Sequence, residues 1–121
     1  MLILSGDLGT GKTHNLIEIA KRHLTRGERV AFVNAYASWA HKELVRKELR
    51  GIEFFSLEDL RPMAGRRFDV VLIDAMDRFR EGRAFALSLS GGATVVLATE
   101  ESPDVAWDTP GATVIHLRPH S

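Results

Sequence analysis

Four consecutive apolar residues, Val70-Val71-Leu72-Ile73, lead directly into Asp74. A strand with water on one side alternates apolar and polar residues, so an unbroken apolar run marks a strand covered on both faces. Thr94–Ala98 has the same character, and shorter apolar runs stand at Leu2–Ser5, Val30–Val33, Ile52–Phe55 and Thr113–Leu117. Segments with helical spacing lie between them. Lys12–Arg26 places Leu16, Ile17, Ala20 and Leu24 on one face and meets a stop at Gly27. Ser38–Arg50 turns Ala40, Leu44, Val45 and Leu49 inward and ends at Gly51, and a weaker helix over Arg78–Leu89 tolerates Gly82. Ser56 followed by Asp59 predicts a one-turn helix stopped by Pro62. Glu100–Ala112, with two prolines, reads as a loop or loose hairpin. Strands alternating with helices, and apolar on both sides, predict an α/β fold: a parallel sheet of five to six strands with helices on both faces.

The turn after the first strand carries the most specific motif. Gly6-Asp7-Leu8-Gly9-Thr10-Gly11-Lys12-Thr13 fits G-x-x-x-x-G-K-[ST] at every fixed position. Glycines at 6 and 11 permit conformations and close approaches that a Cβ would block. Successive N–H groups then converge on an anion at the positive end of the following helix. In such a loop Lys12 places a point charge on the β and γ phosphates of a nucleoside triphosphate, and Thr13 offers a hydroxyl to Mg²⁺. His14, the next residue on the first helical turn, is included in the cofactor-binding set, although packing or solvent exposure is the default for a histidine there. An acidic residue ending another buried strand should hold the magnesium through its water shell, and Asp74 is that residue. Ligands of a parallel sheet gather at the carboxyl ends of its strands, where both Gly6 and Asp74 fall.

Composition narrows the function classes. The 121 residues amount to about one domain, and sixteen Lys+Arg balance sixteen Asp+Glu. Zero net charge excludes a polybasic nucleic-acid binder, though not a local basic groove. The absence of cysteine excludes thiolate zinc sites, thiol catalysis and disulfides, and it fits a cytoplasmic protein. No apolar run approaches the length of a membrane span.

The two motifs, in this order and spacing, resemble those of the P-loop NTPases, and within them the RecA-like ATPases. Arg29–Tyr36 is similar to the second strand of that group, Phe68–Asp74 to its magnesium-binding strand, and Thr94–Thr99 to its sensor strand. Ala112–Arg118 is similar to the strand that closes the core in related helicases. The resemblance covers nearly the whole chain and implies a P-loop NTPase fold with the sheet order 113–117, 2–5, 94–98, 69–73, 29–33, 52–55. It also implies ATP and Mg²⁺ as ligands, with Thr99 contacting the γ-phosphate or attacking water. A single nucleotide-binding domain is expected over residues 1–121, with no lid or DNA-binding appendage.

One departure bears on chemistry. Hydrolysis needs a group that orients and polarises the attacking water. RecA-type enzymes place a glutamate just after the second strand, where this chain has Tyr36, with Asn34 and Ala35 beside it. Other P-loop ATPases place it after the magnesium aspartate, where this chain has Ala75. Asp77, Glu100 and Glu101 are the substitutes, and Glu100 is taken with Lys12, Asp74 and Thr99 as the catalytic set. Any of Arg78, Arg80, Arg83 and Arg118 could serve a neighbouring subunit as an arginine finger, although surface ion pairs account for most arginines. Trp39 and Trp107 read as a helix-leading residue and a loop residue that plugs the core edge or stacks on a partner.

Three functions follow: a weak or partner-dependent ATPase, a non-catalytic nucleotide-sensing subunit, and a small kinase resembling thymidine kinase. Ala75 and the lack of cysteine speak against the kinase. No guanine-reading Asn-Lys-x-Asp segment occurs, which favours ATP. A homo-oligomer or a protein partner fits the ATPase reading, and nucleic acid would have to bind through core loops.

Overall fold

The computed structural model describes residues 1–6, 12–34, 43, 46–47, 49–76, 78–89, 91–100 and 111–117. In chain order these form β1 (Leu2–Ser5), α1 (Lys12–Thr25), β2 (Val30–Asn34), β3 (Glu53–Ser56), a 3₁₀ turn (Arg61–Met63), β4 (Val70–Met76), α2 (Phe79–Leu89), β5 (Thr94–Thr99) and β6 (Thr113–His116). The six strands make one sheet in the order β3-β2-β4-β5-β1-β6, and every neighbouring pair is parallel. This is the α/β architecture expected from the sequence, in the strand order that the family resemblance implied. The helix expected over Ser38–Arg50 lies mostly outside the described residues.

Alternation along the strands sorts the core into two layers. Leu4, Val30, Phe32, Val70, Leu72, Val96 and Ala98 point to one face, where Leu16, Ile17 and Ala20 of α1 cover them. Ile3, Ala31, Val33, Val71, Ile73, Ala75, Val95 and Leu97 point to the other, beneath Phe79 and Ala86 of α2. Because every β4 position from Val70 to Ala75 is buried, the strand shows no alternation of polarity. No helix among the described residues is long and apolar enough to cross a membrane.

Two local expectations change. Pro62 stands within the first turn of the Arg61–Met63 helix instead of stopping one, since its fixed φ and missing N–H suit a helix start. Ser56 and Asp59 shape the turn before it: Ser56 Oγ accepts from the Glu58 N–H, and Asp59 accepts from both the side chain and the backbone of Arg61. Those bonds, the guanidinium's first, hold the Asp59 carboxyl below its ordinary range. Gly82 is also more than tolerated. A Cβ on it would sit 2.7 Å from the Ala75 Cβ and 3.1 Å from Leu97 Cδ1, so α2 lies this close to β4 and β5 only with glycine there.

Candidate functional site

The carboxyl ends of β1, β4 and β5 bring the sequence's candidate residues together. Ser5 and Thr99 are register partners, and the Gly6 N–H donates to the Thr99 carbonyl at 3.1 Å, tying the start of the glycine-rich turn to β5. Lys12 opens α1 and is only 8% exposed, although lysine is among the residues least often buried. Its Nζ donates to the Gly6 carbonyl at 2.5 Å, so the ammonium reaches back across the turn. The Thr13 hydroxyl donates to Asp74 Oδ2 at 3.4 Å, joining the first turn of α1 to the end of β4. Asp74 is 3% exposed and has Ala98 as its register partner on β5, and the fully buried Thr99, one residue on, pairs with Met76. Glu100 follows half-buried, and His14 is exposed.

Asp7, Leu8, Gly9, Thr10 and Gly11 lie outside the described residues. So do Tyr36, Ala35, Asp77, Glu101, Trp39, Trp107 and Arg118. Among the remaining arginines, Arg78 pairs with Glu58 at 3.3 Å, Arg83 lies over the Phe79 ring, and Arg80 is exposed.

The residues fit a magnesium ion. Thr13 and Asp74 are hard oxygen donors within reach of each other. Among the described residues no three His, Asp or Glu cluster together. A Mg²⁺ ion needs no such cage, because it keeps several waters and shares one or two carboxylates with substrate phosphates.

Sequence reasoning passed over Asn34 as a site residue. Read as ending at Val33, the second strand continues one residue further and sets Asn34 opposite Asp74 in the parallel register, with Ser56 on its other side. Its alternation continues that of Val30 and Phe32, on the face that α1 covers. Extending the period of two by one residue would have put it on that face, though not opposite Asp74.

Ala75 faces the opposite side. It is fully buried against α2 at the point where Gly82 makes its close approach. A cavity of about 530 Å³, lined by Met63, Phe68, Val71, Phe85 and Ala93 among others, lies on that same face toward the amino ends of the strands, away from Lys12 and Asp74.

No family model matches the sequence, and no curated protein matches it. Among solved structures, AMPPCP-bound DnaA from Aquifex aeolicus is similar, with a TM-score of 0.56 and 19% identity. The match covers 97% of this chain and 40% of that one, so the chain spans about two fifths of the DnaA structure's length. At this identity the likeness is one of fold: a P-loop NTPase-like α/β sheet. The narrower RecA-like placement rests on the sequence resemblance alone.

Proposed function

We propose that this chain binds ATP with Mg²⁺ at the carboxyl ends of β1 and β4 and hydrolyses it slowly, or only with a partner. The observation that carries this reading is the convergence of Lys12, Thr13 and Asp74, with the Lys12 ammonium folded onto Gly6 and the Thr13 hydroxyl against the Asp74 carboxylate. Residues Gly6 to Thr13 would hold the polyphosphate, with the Lys12 ammonium turned from the Gly6 carbonyl to the β and γ phosphates. Thr13 and Asp74 would hold the magnesium, which when bound offsets negative charge on the phosphates. Thr99 would approach the γ-phosphate side from β5. That the similar DnaA structure holds a nucleotide analogue supports the ligand class.

Slow turnover follows from the packing at Ala75. A glutamate at that position would need the space that α2 fills at Gly82, so β4 has no room there for a water-orienting carboxylate. Of the substitutes Asp77, Glu100 and Glu101, Glu100, one residue past Thr99, is the one among the described residues and is taken for the task. The same packing favours the second reading, a nucleotide-sensing subunit that binds without turnover.

Calorimetric titration with ATP in millimolar magnesium tests the proposal. Wild type should bind, and Lys12→Ala should lose about tenfold or more, the worth of a charge-assisted contact. Equal binding by both, or none by wild type, contradicts the assignment. Turnover of several per second by the purified chain alone would contradict the slow-hydrolysis part.

A further inference from the structure

We infer that Asn34 is a positioning residue of the magnesium site, holding the ion's water shell from β2 while Thr13 and Asp74 hold it from α1 and β4. The inference rests on the ATP-binding proposal and adds to it a group that the glycine-rich motif and the aspartate-ended strand do not contain.

Three observations place Asn34 there. Parallel register makes it the direct neighbour of Asp74, and partner residues on adjacent parallel strands project to the same face about 5 Å apart. That face is the one α1 covers, where the Thr13 hydroxyl reaches Asp74 from above, so the carboxylate has a hydroxyl on one side and an amide strand neighbour on the other. Asn34 is also 8% exposed in a strand otherwise built of Val30, Ala31, Phe32 and Val33. A sheet interior of this kind is filled by apolar side chains, so the amide marks the end of β2 as a polar position beside Asp74.

The chemistry suits the role. A hydrated magnesium ion presents water hydrogens outward, and an amide oxygen accepts one without adding charge. The neutral amide leaves Asp74 as the one carboxylate in the row, since its neighbours across the sheet are Asn34 and Ala98. Two adjacent carboxylates would repel each other, and the divalent ion would be needed to relieve them. Asn34 therefore sets how strongly nucleotide binding depends on magnesium.

The test is ATP affinity as a function of magnesium concentration for wild type, Asn34→Ala, Asn34→Asp and Asp74→Ala, with thermal melting recorded for each. In excess EDTA, Asn34→Ala should bind ATP within about twofold of wild type, and in saturating magnesium about tenfold more weakly, as loss of an outer-sphere partner predicts. Asn34→Asp, nearly isosteric, should weaken binding in EDTA and move the magnesium midpoint several-fold lower. If both variants keep the wild-type midpoint within twofold while their melting temperatures drop, Asn34 serves the fold alone and the inference fails. If wild type binds no ATP under any condition, the ATP-binding proposal fails and this inference with it.

Discussion

At the residue scale, the pairing of Gly82 with Ala75 has the clearest consequences. An alanine is favoured over glycine in a helix by about 1 kcal/mol. At position 82 the added Cβ would press on a strand atom with little freedom to move, and overpacking of this kind costs about 1–3 kcal/mol. Gly82→Ala should therefore lower the denaturation midpoint, and adding Ala75→Gly should restore part of the loss, an interaction that a double-mutant cycle isolates. Additive effects would show that the contact is absent. Glu100→Gln is the corresponding probe of chemistry. It should reduce residual hydrolysis by roughly tenfold or more while leaving ATP affinity within about twofold; unchanged hydrolysis would remove Glu100 from the catalytic set. Lys12, Thr13 and Asp74 were legible in the sequence because each sits at a fixed motif position or ends a fully apolar run. Asn34 was not, because its place opposite Asp74 appears only when β2 is laid beside β4 in register, and register is a property of the folded sheet.

Among the elements, burial decides which strands hold the domain together. β4 is buried on both faces from Val70 to Ala75, whereas β6 forms an edge with Thr113, Ile115 and His116 exposed. Leu72→Ala, which empties a fully buried site, should cost about 2–5 kcal/mol by denaturant unfolding, and Ile115→Ala well under 1 kcal/mol. Native-state hydrogen exchange should find the slowest amides in β4 and β5 and early opening at β6. Comparable protection across all six strands would contradict that hierarchy. The long apolar runs made the central strands readable, and their ends were off by one to three residues because the polar residues that follow those runs, Asn34, Asp74 and Thr99, look like loop in a linear reading, and β4 runs on past Asp74 to Met76. The segment after β3 misled for a related reason. A Ser-x-x-Asp pattern suits a helix cap or a turn equally, and here the Ser56 hydroxyl closes a turn.

For the molecule as a whole, the sheet order places Gly6, Asp74 and Thr99 at one end of three adjacent strands, β4, β5 and β1. Composition and patterning foretold the parallel sheet, and the order of strands came from the family resemblance, since periodicity says nothing about which strands adjoin. Binding at one end of the six-stranded sheet should stabilise the strands that hold the site. At one hundred times the dissociation constant, MgATP adds about 2.7 kcal/mol and should raise the melting temperature by on the order of 10 °C. The most direct measurement is the map of amide NMR shifts as MgATP is added. The account predicts the largest changes at Gly6, Lys12, Thr13, Asp74 and Thr99, with Glu53–Phe55 and Arg61–Phe68 nearly still. Changes centred on Met63, Phe68 and Phe85, or none at Lys12 and Thr13, would contradict it.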